Sequence, residues 1–112
     1  MKKAEIERIK RELMRRESEL RSIEESSRNA SQPVELDQAS VGRLSRMDAM
    51  QGQQMALETA RRRQHELAAI EGALRRIELG EYGNCLVCGE EIDVRRLRVA
   101  PTSTRCVACA DT

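Results

Sequence analysis

Four cysteines carry the clearest chemistry in this sequence. Cys85-Leu86-Val87-Cys88 and Cys106-Val107-Ala108-Cys109 are two CxxC pairs separated by Gly89 to Arg105. That spacing suits a four-cysteine zinc site. Two thiolates three residues apart on a tight turn occupy adjacent corners of a tetrahedral ion, and a second turn closes the other two. Four sulfurs leave no open position for water or substrate, so one Zn2+ held this way is structural. Gly83 and Gly89 flank the first turn, where positive φ is often required. Arg95, Arg96, Arg98 and Arg105 lie close in sequence and are expected to offset the negative charge of the tetrathiolate. The competing reading is a redox dithiol pair, which a single CxxC would support as well. His65 is surplus to a metal that already has four sulfur ligands.

The elements that position these cysteines are helical. The 112 residues are 39% hydrophobic and 35% charged, with one Tyr, no Trp and no Phe. Such a chain lacks the bulk for a thick core and suits long solvated helices that share a narrow apolar seam. Ile6, Ile9, Leu13, Leu20 and Ile23 form a heptad seam interrupted at Arg16, predicting a first helix over about 2–28. Ser26 to Pro33 breaks the pattern and reads as a loop. A second helix is expected from between Leu36 and Val41 to about Leu79, with Gly80 as its C-terminal cap. Its seam is Leu67, Ile70, Leu74 and Ile77, weakly extended by Ala60 and Ala56. The other half uses Val41, Leu44, Met47 and Met55, with a soft spot at Gly52, since Gly in a helix costs about 1 kcal/mol relative to Ala.

Setting Leu13 against Leu67 and Ile6 against Leu74 places the tip of an antiparallel hairpin at 33–45. A tip nearer residue 32 would leave Leu67 to Ile77 for the zinc module or another chain. The expected architecture is therefore mainly α: a long antiparallel helical hairpin (coiled coil) over 1–79, its tip at about 30–45, followed by a small four-cysteine zinc finger over 80–112. Tyr82 is expected beside the first zinc knuckle.

Several classes of function are disfavoured. A net charge of +1 gives no global attraction to nucleic acid or anionic membrane. No apolar run approaches the ~20 residues that span a bilayer, and Met1-Lys2-Lys3-Ala4-Glu5 leads into charged residues, so a cytoplasmic location is expected. Arg61-Arg62-Arg63 spread around a helical turn and make a poor phosphate patch. No nucleophile–base pair or phosphate-cradling glycine loop is present, so an enzyme is not expected.

Gly80, Tyr82-Gly83, Cys85, Cys88-Gly89, Ile92, Arg96-Leu97, Pro101, Cys106 and Cys109 resemble the zinc finger of the DnaK-suppressor (DksA)/TraR family. The hairpin before the finger also suits that family. The resemblance implies a monomeric transcription regulator that binds bacterial RNA polymerase. Its coiled coil would enter the secondary channel and bring acidic tip residues near the active centre, without sequence-specific DNA contact. In some members the effect is exerted together with the alarmone ppGpp, for which no residue here is assigned. The family's tip carries Asp-x-x-Asp-x-Ala. Val34-Glu35-Leu36-Asp37-Gln38-Ala39 keeps Asp37 and Ala39 but has Val34 in place of the first Asp. Glu35 is adjacent, and Asp48 is a further acid near the tip. The alternative is a zinc-stapled coiled-coil adaptor or dimer, self-associating through Leu67, Ile70, Leu74 and Ile77, with no polymerase role.

Overall fold

The computed structural model describes the backbone of residues 1–30 and 43–110, with side chains over 1–28 and 46–110. Four helices follow in order: α1 (Lys3–Ala30), α2 (Arg43–Leu79), α3 (Val94–Val99) and α4 (Val107–Ala110). No strand occurs among the described residues, only an isolated antiparallel bridge between Asn84 and Glu91.

The two long helices lie antiparallel. Ser27 near the end of α1 meets Arg63, while Ile6 at its start shares a cleft with Gly80. Ile9, Leu13 and Leu20 from α1 are buried against Leu67, Ile70 and Ala73 from α2. Leu74 and Ile77 pack against this cluster from the α2 side. The heptad seam thus works as expected over its central turns. Ala73, fully buried, also belongs to it because a small side chain lets the helices approach.

The ends of the seam depart from expectation. Ile23 is 47% exposed, and Glu24 takes the half-buried position four residues after Leu20. The 3.6-residue period, continued from Leu20, brings Glu24 and Ser27 to the seam and leaves Ile23 on its edge. Met47 and Met55 are likewise exposed, at 62% and 68%, and form no seam. Val41 and Leu44 lie outside the described side chains.

Two further corrections concern α1. Ser26 to Ala30 do not form a loop; the helix runs through them. The pre-proline restriction acts on the residue directly before Pro33 and does not reach back to Ser26. Ser27 also gains a tertiary partner, since its Oγ accepts from Arg63 Nη1 at 3.2 Å.

The helix register also differs from the expected one. That register would set Arg16 level with Gln64, Arg21 with Thr59 and Ser27 with Gln53. Arg16 instead bonds Glu66 at 2.7 and 3.1 Å, Arg21 bonds Glu71 at 2.7 Å, and Ser27 bonds Arg63. Every partner lies further towards the C-terminal end of α2. The cause is at the other end of α1, whose first turn docks on the residues after α2 and draws the helix that way. The Met1 side chain packs on Gly83, and Glu5 pairs with Arg98.

At its C-terminus α2 ends as the sequence predicts. Gly80 has φ 74°, its N–H donates to the Ile77 carbonyl at 3.2 Å, and the Glu81 N–H donates to the Arg76 carbonyl at 2.9 Å. This pair of bonds is a Schellman motif, and it satisfies two carbonyls the helix would leave open.

Candidate metal centre at the base of the hairpin

The Schellman turn delivers the chain to the first knuckle. Gly83 (φ 95°) and Gly89 (φ 79°) adopt the left-handed backbone expected on either side of Cys85 and Cys88. Between them the chain closes a narrow loop. The Cys85 N–H donates to the Glu90 carbonyl, and the Ile92 N–H to the Gly83 carbonyl, both at 2.8 Å. The Gly89 N–H returns to the Cys85 carbonyl at 2.9 Å. The second knuckle is the first turn of α4, where the Cys109 and Ala110 N–H groups donate to the Cys106 carbonyl. A backbone bond from the Leu86 N–H to the Thr104 carbonyl, at 2.8 Å, ties the two knuckles together.

Between the knuckles runs α3. Asp93 caps it, accepting from the Arg95 N–H at 2.9 Å, and its carboxylate also takes the Arg95 guanidinium. This arrangement holds the Asp93 carboxyl below its ordinary value. α3 turns Leu97 inward, where it is fully buried with Ile92, Tyr82 and Cys85. Tyr82 lies beside the first knuckle as expected. Its hydroxyl donates to the Pro101 carbonyl at 2.7 Å, and burial pushes its pKa up to about 12. These residues belong to the same apolar cluster as Ile9, Leu13 and Ile70, so the finger and the base of the hairpin share one core.

The four sulfurs converge within 4.8 Å of one another. The Cys88 and Cys106 sulfurs are 3.6 Å apart, against about 3.8 Å for two sulfurs on a tetrahedral zinc with Zn–S near 2.3 Å. Cys85 is buried, Cys106 and Cys109 are half-buried, and Cys88 is exposed. Backbone amides aim at the Cys85 sulfur, Cys88's foremost and then Cys106's, and pull its pKa down to about 6. Hydrogen bonds from Cys109 to Cys106 and then Cys88 push the Cys109 thiol up to about 12. One thiolate is thus favoured at neutral pH, while four together require a cation among them. The donor set and its spacing fit one tetrahedral zinc ion.

The arginines expected to balance this charge are partly engaged elsewhere. Arg95 serves Asp93, and Arg98 serves Glu5. Arg96 Nε is buried without an acceptor among the described residues. Arg63 has a role that its place in a run of three arginines concealed. It is the buried charged residue of the seam, at 8% exposure, bonded to Ser27. Arg61 and Arg62 are exposed beside Glu58. Only helical phase separates Arg63 from its neighbours, and the seam spacing back from Leu67 would have found it. His65 is exposed.

Of the tip candidates, Asp48 is an exposed residue of α2, while Asp37 and Ala39 lie outside the described residues. No described helix is long and apolar enough to cross a membrane.

Comparison with known proteins agrees with this geometry. Residues 80–112 match the prokaryotic dksA/traR C4-type zinc finger. Across 99% of the chain and 84% of its counterpart, the fold superimposes on the structure of transcription factor DksA2 from Pseudomonas aeruginosa, with a TM-score of 0.80 and 27% identity. Residues 80–112 thus carry the zinc finger of the dksA/traR family. It is 38% identical over 63 residues to the RNA polymerase-binding transcription factor DksA of Haemophilus influenzae and to that of Escherichia coli. The match takes in 54% of this chain but only 43% and 42% of those two relatives, less than half the length of either.

Proposed function

We propose that this protein is a transcription regulator that binds bacterial RNA polymerase in the cytoplasm. In this reading the α1–α2 hairpin enters the secondary channel and the finger stays outside as its base. Asp37, Ala39 and Asp48 are the residues directed at the active centre. A zinc ion held by Cys85, Cys88, Cys106 and Cys109 has a purely structural role, and the protein has no catalytic activity of its own. It acts as a monomer without sequence-specific DNA contact, and any effect of ppGpp arises at the polymerase complex.

The observation that carries the proposal is the fold match over 99% of the chain, hairpin and finger together, to a transcription factor. The DksA relatives, described as RNA polymerase-binding, supply the partner. The structure also counts against the dimer reading. Leu67 and Ile70 are buried within the chain, and Leu74 and Ile77 pack on the same intramolecular core, so the seam that a dimer would use is occupied by α1.

Transcription in vitro by purified bacterial RNA polymerase, with and without ppGpp, tests the reading. Wild type is expected to change initiation and Asp37→Asn to lose that effect while still binding polymerase. Equal effects of the two proteins would remove Asp37 from the mechanism.

A further inference from the structure

The half of α2 nearer the tip is chemically unlike the rest of the molecule. Every side chain from Arg46 to Thr59 is exposed, so the helix there gains little from packing. Its large apolar residues include Met47, Met50 and Met55, at 62%, 63% and 68% exposure. Gly52 sits among them with nothing within 4 Å of a Cβ built on it. Local helix propensity must hold this stretch, and Gly lowers it. Methionine is a good helix former because its unbranched chain loses little freedom and competes for no backbone hydrogen bond.

We propose that Met47, Met50 and Met55 form an oxidation-sensitive site, at which conversion to the sulfoxide by a peroxide-class oxidant loosens the tip-proximal half of α2. In each event the Met Sδ lone pair attacks one peroxide oxygen. The S–O bond forms as the O–O bond breaks, and the other oxygen leaves as water after taking up the proton. The sulfur is oxidised by two electrons and the peroxide is reduced. The product is polar, and its S–O group accepts hydrogen bonds that compete with the helix ladder. Three residues moved from the good towards the poor end of the helix scale raise the opening equilibrium of the segment roughly tenfold. The Met1 side chain is shielded, at only 6% exposure. Met14 is open to the oxidant at 53%, but it lies on α1, which the buried Ile9, Leu13 and Leu20 hold against α2 whatever its oxidation state.

The test treats the full, zinc-loaded chain with hydrogen peroxide, then restores the thiols with dithiothreitol and zinc, and maps sulfoxides by mass spectrometry. Met47, Met50 and Met55 are expected to oxidise at least several-fold faster than Met1. Amide exchange over residues 46–59 should then quicken about tenfold, with α1 near Leu13 unchanged. The triple Met→Leu variant at 47, 50 and 55 should keep its protection after the same treatment. Triple Met→Asn at these positions, which lowers helix propensity and offers a competing hydrogen-bond group, should reproduce the loss without oxidant. Equal oxidation of Met1, or complete sulfoxide formation with unchanged exchange over 46–59, would overturn the proposal.

Discussion

Leu97→Ala tests whether the finger is held by metal and core acting together. Leu97 is fully buried, and it projects from α3 into the cluster of Tyr82, Cys85 and Ile92. Its Cδ1 lies 3.9 Å from where a Cβ on Gly83 would be, against the first knuckle. Removing three side-chain carbons from such a site costs about 3 kcal/mol, by the transfer and cavity terms for Leu→Ala. The finger has little other apolar core and cannot absorb that loss independently. Because folding and metal binding are coupled in such modules, the deficit should appear as weaker zinc affinity. At 1.4 kcal/mol per decade this is about a hundredfold. Competition with a chromophoric chelator measures it directly. Val99→Ala is the control, since Val99 is 88% exposed on the same helix and should change affinity less than about twofold. Zinc affinity for Leu97→Ala within threefold of wild type would refute the coupling of core to metal.

Other outcomes follow from the same structure. Gly80→Ala has room for its methyl group but must hold φ 74°, so thermal denaturation should report a loss of about 1 kcal/mol. Chelating the metal should abolish exchange protection over 80–110 while far-UV circular dichroism falls only slightly, because α1 and α2 hold 28 and 37 helical residues against 6 and 4 in α3 and α4. Collapse of most of the helical signal would show that the hairpin depends on the finger. The Arg16 guanidinium, bonded to Glu66, holds the Glu66 carboxyl below its ordinary 4.5. The bridge therefore adds stability above that pH and loses it as pH falls through the lower, folded value. Melting of wild type and Glu66→Gln should differ at pH 6 and converge towards pH 3, by a small amount because both groups are exposed. An equal difference at both pH values would exclude the bridge as its source.

Much of this architecture was legible in the residues themselves. Cysteine spacing brought out the cluster of four sulfurs because two short turns built to face one another leave few geometries. Gly80 marked the end of α2 because a left-handed cap excludes most other residues. Leu13, Leu20, Leu67 and Ile70 were found by period alone. The register was not, because several heptad pairings bury similar residues, and the choice among them fell to contacts outside the seam at Met1 and Glu5. Ser26 to Ala30 misled for a related reason: poor helix formers remained helical once Ser27 met Arg63. Neither Arg63 nor Asp93 stood out in the sequence, since an arginine in a basic run and an aspartate before a short helix acquire their roles only from position. Asp37 and Ala39 rest on the family pattern.

The central claim is that the hairpin and its zinc base form a polymerase-binding unit. Titrating the zinc-loaded protein against purified bacterial RNA polymerase core enzyme tests it most directly. One-to-one binding with a Kd of about 1 µM or tighter is expected, displaced by a second protein known to occupy the secondary channel. Absence of binding at tens of micromolar, with the fold and zinc content verified, would contradict it.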